Sequence, residues 1–115
     1  NVNAIPHTFL LNANKEIVGR VSIRHQLTEN LKRDGGHIGY AVVPEYRNKG
    51  VATEILKQSL IWCRDFLNLN RILVTCDDDN IGSIKTIEKN GGVLENKIEL
   101  SKNKPLKRRY WIMIK

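Results

Sequence analysis

In Val42-Val43-Pro44-Glu45-Tyr46-Arg47-Asn48-Lys49-Gly50-Val51-Ala52 the pattern of the chain changes from strand to helix within a few residues. Before it, His37 to Val43 reads as a strand that Pro44 must end, because proline has no N–H to give to a ladder. After it, from Val51 to Leu67, the residues Ala52, Ile55, Leu56, Leu60, Cys63, Phe66 and Leu67 recur at three- and four-residue intervals and mark one face of an amphipathic helix. A short loop therefore feeds a strand straight into a helix. The first N–H groups of a helix have no internal partner and lie at the positive end of its dipole, so such a junction is an anion site. Gly50 lets the backbone turn tightly and lets an anion approach without a Cβ in the way, Ala52 keeps the next approach small, and Arg47 and Lys49 add positive charge. The same residues also suit a plain turn with solvated cations. The two common phosphate-loop patterns, G-x-x-x-x-G-K-[ST] and G-x-G-x-x-G, are both absent.

On the N-terminal side, Thr8 to Leu11 and Glu16 to His25 predict a β-hairpin across an Asn-rich turn, and Leu27 to Arg33 a short helical turn that Asp34-Gly35-Gly36 breaks. On the other side, Arg71 to Cys76 is a short buried-type strand. Ile81, Ile84 and Ile87 give a second helix that Gly91-Gly92 stops, and Val93 to Leu100 and Arg109 to Lys115 predict two closing strands. The order describes one α/β domain, residues 1–115, in which helices pack on a mixed, mainly antiparallel twisted sheet. Strands His37 to Val43 and Arg71 to Cys76 are expected as parallel neighbours, joined by a right-handed crossover and diverging at their C-terminal ends.

Composition agrees with a single small globular domain: 115 residues, 41% hydrophobic and 27% charged, which excludes disordered and collagen-like chains. The net charge of +7 favours anionic partners without choosing among them. No apolar run approaches the roughly 20 residues that span a bilayer, so a cytoplasmic location is the default expectation. Cys63 and Cys76 stand outside any C-x-x-C pair and read as reduced thiols. Asp77, Asp79, Gly82 and Glu88 fall at calcium-loop positions, but Ile81 occupies a ligand position and a helix must begin inside the loop. No metal is expected there, and the acidic run is assigned to the helix N-terminus instead.

Strand, Val-x-Pro-x-x-Arg-x-x-Gly-x-Ala, helix, strand, then Asn80-x-x-Ser83 opening a helix that ends in Gly91-Gly92: this ordered pair of motifs resembles the GNAT superfamily of N-acetyltransferases. The resemblance runs from about Thr8 to the C-terminus. It implies acetyl-CoA as co-substrate, its pyrophosphate wrapped by the backbone of Arg47, Asn48, Lys49, Gly50, Val51 and Ala52, and its pantetheine arm lying along Ala41, Val42 and Val43 like an added strand. Asn80 would bond the pantetheine region and Ser83 would be the small residue facing the cofactor, although Asn80 also suits a helix N-cap. The thioester would lie where the two strands splay. Two departures accompany the matches: Ile87 stands where many members carry a Tyr that protonates the leaving thiolate, and the strand and helical pair that usually precede the hairpin are not in view.

A lysine acceptor, with a reference pKa near 10.4, costs about 4.6 kcal/mol to present neutral at pH 7, against about 1 kcal/mol for an α-amine. His37, beside the splay, has an unperturbed pKa that suits a general base, and it equally suits a strand histidine without a role. Glu99 and Tyr40 are weaker candidates, Tyr40 because alternation sends it to the opposite face from His37. Transfer is expected by direct attack of a primary amine in a ternary complex. Cys76 has three aspartates directly after it, which should suppress the thiolate an acetyl-enzyme would need. Two other classes stay open. One is a GNAT-like domain that binds acyl-CoA without catalysis; the other is a basic nucleic-acid module built on Lys102, Lys104, Lys107, Arg108 and Arg109 beside Tyr110 and Trp111. Expected partners are an amine acceptor of unassigned identity, with a homodimer as the alternative to a monomer, and neither nucleic acid nor membrane.

Overall fold

The computed structural model describes residues 8–11 and 14–114. Strand β1 (Thr8–Leu11) pairs antiparallel with β2 (Ile17–Ile23), and β2 with β3 (Ile38–Val42), forming one three-stranded sheet in the order β1-β2-β3. A short helix α1 (Glu29–Arg33), capped by the Thr28 hydroxyl, lies between β2 and β3. Helix α2 (Val51–Trp62), strand β4 (Arg71–Asp77), helix α3 (Ile81–Lys89) and strands β5 (Val93–Ile98) and β6 (Lys107–Met113) follow. The last three strands form a second antiparallel sheet in the order β4-β6-β5. This is the α/β class expected, with helices packed on antiparallel strands.

Two expectations need correction. The strands anticipated as parallel neighbours, β3 and β4, stand in separate sheets. What joins them is a clasp rather than a ladder: the His37 N–H donates to the Leu73 carbonyl at 2.8 Å, and the Leu73 N–H donates to Nδ1 of the His37 ring at 2.9 Å. The imidazole takes the hydrogen bond that a neighbouring backbone carbonyl would take in a ladder. Gly35 N–H adds a bond to the Thr75 hydroxyl at 2.9 Å. Gly36, at φ +62, brings its backbone so close to the Leu73 carbonyl that a Cβ would overlap it, so only glycine fits the joint.

The second correction concerns α2. Its α-helical turns end at Trp62 and continue as a wide π turn over Cys63–Leu67, which Asn68 terminates in the left-handed region at φ 55. A π turn holds more residues than an α turn and shifts the following side chains around the axis. Phe66, expected on the apolar face, is 72% exposed and rests against Trp62, while Cys63 stays fully buried.

The core lies where α2 and α3 cover the strands: Leu56, Cys63, Ile72, Val74 and Ile87 have no exposed surface, and Ile38, Tyr110 and Ile112 almost none. Burying each such aliphatic side chain is worth roughly 1.5–3 kcal/mol. Both cysteines are free thiols. No helix among the described residues is long and apolar enough to cross a membrane.

Candidate active site

Beyond the clasp, β3 and β4 part, and the space between β3, the start of α2 and the outer face of α3 is a cleft of about 710 Å³. The register of β3 fixes which backbone groups face it. Val43 N–H bonds to the Val18 carbonyl at 2.9 Å, so the odd-numbered residues at this end of β3 turn their polar groups toward β2. Tyr40 and Val42 therefore turn theirs to the free edge. The Val42 carbonyl is already used there by Arg47, whose Nε donates to it at 3.0 Å.

From Pro44–Tyr46, a single 3-10 turn, the chain passes Asn48 at φ 61 and Gly50 at φ 80 into α2. Two left-handed positions, with Lys49 between them, turn the loop sharply before the amino end of α2, which lines the cleft. Among the described residues no side chain caps that end, and the first helical N–H to find an intrahelical acceptor is that of Glu54, bonded to the Gly50 carbonyl at 3.1 Å. A Cβ on Gly50 would meet nothing within 4 Å, so the position is open toward the cleft. Helix α3 begins differently: Asn80 caps it, its Oδ1 accepting from Ser83 N–H at 3.1 Å.

The structure brings most of the expected cofactor residues to one place. Ala41, Val42, Arg47, Asn48, Gly50, Val51 and Ala52 line the cleft on the strand and loop side, with Asn80 and Ser83 on the helix side. Val43 and Lys49 do not line it: Val43 is bonded to β2, and the Lys49 ammonium sits over the Tyr46 ring, 5.7 Å from its centroid. Sequence reasoning passed over Tyr40, Thr86, Lys85 and Lys89 as cleft residues. Periodicity held the signal: Tyr40 lies two residues before Val42 on a strand, and Thr86 and Lys89 continue the helical face that starts at Asn80 and Ser83.

Among the described residues the Tyr40 hydroxyl is buried beside the Ser83 and Thr86 hydroxyls without a hydrogen bond of good geometry to either; burial raises its pKa, and those two hydroxyls draw it part of the way back. Ile87, at the position where a phenol was looked for, is fully buried in the core. His37 does not line the cleft. It is 6% exposed, with its ring near the edge of Trp111, and burial, followed by the positive charge of His25 and Arg71, lowers its pKa to about 4. At neutral pH it is an uncharged acceptor for Leu73.

Cys76 is 7% exposed, and its thiol is pushed up to about 11. Burial is the main cause. The aspartates that follow it contribute least, and Arg108 and Lys107 across the strand pull the other way. Asp77 and Asp78 do not serve the α3 N-terminus, whose first turn holds no acid. They pair with β6 and β5 instead: Asp77 with Lys107 at 2.6 Å, Asp78 with Arg108 at 2.5 Å and Lys97 at 3.1 Å. Arg109 pairs with Glu95 at 2.6 Å, Tyr110 is buried, and the indole N–H of Trp111 donates to Glu95. The basic run on β6 is thus matched by carboxylates.

Residues 3–93 match the family model described as an acetyltransferase (GNAT) domain. The chain belongs to the GNAT acetyltransferase family. Among curated relatives, it is 34% identical over 84 residues to the uncharacterized N-acetyltransferase YjdG of Bacillus subtilis (strain 168), an alignment covering 73% of this chain and 48% of that protein. A second B. subtilis relative, the uncharacterized N-acetyltransferase YnaD, is 39% identical over 54 residues, or 47% of this chain and 32% of the other. The chain therefore spans half or less of the length of the curated relatives it matches. Among solved structures, the GNAT fold is shared with a ribosomal-protein-S5-alanine acetyltransferase from Vibrio fischeri, at TM-score 0.77 and 21% identity over 93% of this chain and 60% of that one. A GNAT acetyltransferase from Bacillus anthracis matches at TM-score 0.76 and 24% identity, over 94% and 66%.

Proposed function

We propose that this GNAT domain binds acetyl-CoA in the cleft and transfers the acetyl group to a primary amine. The observation that carries the reading is the uncapped amino end of α2, opened by Gly50 at φ 80 onto a cleft that also exposes the free edge of β3. A helix N-terminus without a cap retains unsatisfied N–H groups and a positive field, both suited to a pyrophosphate. The free edge suits an extended amide-bearing chain such as pantetheine, which would pair with the backbone of Tyr40 and Val42 and take the Val42 carbonyl from Arg47. The names of neighbouring structures support an amine acceptor, since one acts on an alanine of a ribosomal protein and another is a spermidine N-acetyltransferase from Vibrio cholerae.

In the reaction, the amine nitrogen attacks the thioester carbonyl, the C–S bond breaks, the thiolate leaves and the nitrogen gives up a proton. An alkyl thiol is far more acidic than an alcohol, so the thiolate is a tolerable leaving group without a phenol at position 87. The high thiol pKa of Cys76 disfavours an acetyl-enzyme and supports direct transfer. His37, neutral and held by Leu73, is assigned to the clasp and not to proton transfer. Isothermal titration with acetyl-CoA, followed by an amine panel monitored for free CoA, tests the proposal. Binding with CoA release supports it, and absence of binding ends it. Binding with no release from any amine favours the second reading, a non-catalytic acyl-CoA-binding domain, which the absence of a titrating side chain at Ile87 and the burial of His37 would then explain.

A further inference from the structure

The cleft has more positive charge than a pyrophosphate at α2 accounts for. Arg47 lines it on the loop side, Lys85 and Lys89 on the opposite wall, and among the described residues no Asp or Glu lines it. Lys85 and Lys89 are four residues apart on α3, hence one turn apart on the same face. Both are exposed, and among the described residues neither enters an ion pair. The acid that follows in sequence, Glu88, points the other way and accepts from the Tyr110 hydroxyl at 3.0 Å. The lysines are also held near the anion site at α2. Asn90 clamps the end of α3 to the first turn of α2, its amide donating to the Thr53 carbonyl at 3.2 Å and to the Thr86 carbonyl at 3.0 Å.

Two cationic groups on facing walls fit a ligand with two separate anionic centres. Resting on the cofactor reading above, we infer that Lys85 and Lys89 form a second anion subsite, which takes the 3′-phosphate monoester of the CoA ribose while the α2 N-terminus takes the pyrophosphate. A lysine pair on flexible stems suits a terminal phosphate whose position varies, where a backbone cradle suits a fixed one. The consequence is selectivity for CoA over 3′-dephospho-CoA, which has the same pyrophosphate and pantetheine but lacks the monoester.

The test titrates the protein with CoA and with 3′-dephospho-CoA at low and moderate salt, using wild type, the Lys85→Gln/Lys89→Gln double variant and a charge-matched control, Lys102→Gln/Lys104→Gln. The control residues are exposed in the loop between β5 and β6. Wild type and control should prefer CoA by about tenfold, the scale of two solvent-exposed charge contacts, with a preference that shrinks as salt rises. In the double variant the ratio should fall to about one through loss of CoA affinity, with the affinity for 3′-dephospho-CoA unchanged. Equal affinities in wild type, a ratio that survives in the double variant, or an equal loss for both ligands would each overturn the subsite while leaving the cofactor reading intact. If neither ligand binds wild type, the cofactor reading itself fails and the subsite with it.

Discussion

At its start β3 is locked to β4: Gly36 presses its backbone against Leu73, and His37 exchanges two hydrogen bonds with the same residue. A few residues later the same strand offers Tyr40 and Val42 to an open cleft, the Tyr40 hydroxyl buried without a partner and the helix beyond left uncapped. One end has its polar groups satisfied from within, whereas the other holds donors without acceptors. That contrast separates structure from site along a single strand. Buried polar groups are nearly always paired, so a local concentration of unpaired ones marks where something else binds.

The closed end can be broken most severely at Gly36. An alanine there would hold φ +62 against its preference and push its Cβ into the Leu73 carbonyl, a loss of about 3 kcal/mol or more. Urea unfolding of Gly36→Ala measures it, and a loss under about 1 kcal/mol would show that the joint is not tight.

His37 makes the same end pH-sensitive. Its folded pKa of about 4 lies below the unfolded value of 6.5, so between those values the unfolded chain binds the proton more readily. Its contribution is complete above pH 6.5 and is lost as pH falls toward 4, a total on the order of 3 kcal/mol. In urea melts at pH 7.5 and 5, wild type should lose stability at the lower pH. His37→Asn, which retains an acceptor for Leu73 but does not titrate, should show a much flatter profile. A flat wild-type profile contradicts the clasp.

At the open end nothing stands within 4 Å of a new Cβ at Gly50, but Gly50→Val also holds a β-branched residue at φ +80 against its preference, so circular dichroism and urea unfolding first establish that the variant folds. Folded, it sets a branched side chain in front of the α2 N–H groups. Acetyl-CoA affinity should drop about a hundredfold, near 2.7 kcal/mol. Calorimetry on the folded variant decides, and wild-type affinity there rejects α2 as the pyrophosphate site.

Much of the open end was legible in the sequence, because the loop from Arg47 to Ala52 carries its function in its backbone, which glycine and helix periodicity reveal. The closed end was not. His37 reads as a base until its side chain is seen accepting from Leu73, a residue 36 positions away, and no local pattern encodes that. The aspartates after Cys76 misled for the same reason: their partners Lys107, Arg108 and Lys97 come from β6 and β5, and cross-strand pairing overrode the nearest helix end. Where a ladder was expected, one backbone bond and one side-chain bond between His37 and Leu73 join two separate sheets, which strand propensity cannot show. Lys89 was readable by extending the Asn80 face along α3, and Lys85 lies one turn before it.

The smallest effect is the sharpest probe of the contrast, because its sign is unusual. Tyr40 stands between the two ends, its ring packed on the core and its hydroxyl unpaired near Ser83 and Thr86. Removing a buried hydroxyl normally destabilises a protein, since a hydrogen bond is lost with it. Here no bond of good geometry is formed with the nearby Ser83 and Thr86 hydroxyls, and Tyr40→Phe relieves a desolvated donor without changing the ring. The empty protein should therefore become more stable by up to about 1 kcal/mol. If the hydroxyl is kept for a ligand group in the splay, saturating acetyl-CoA should stabilise wild type more than the variant, so that the gain shrinks or reverses when the cleft is filled. Thermal unfolding of both proteins, with and without acetyl-CoA, reads the two differences. A clear destabilisation of the empty variant would mean that the hydroxyl already has a partner in solution and that the open end begins beyond Tyr40.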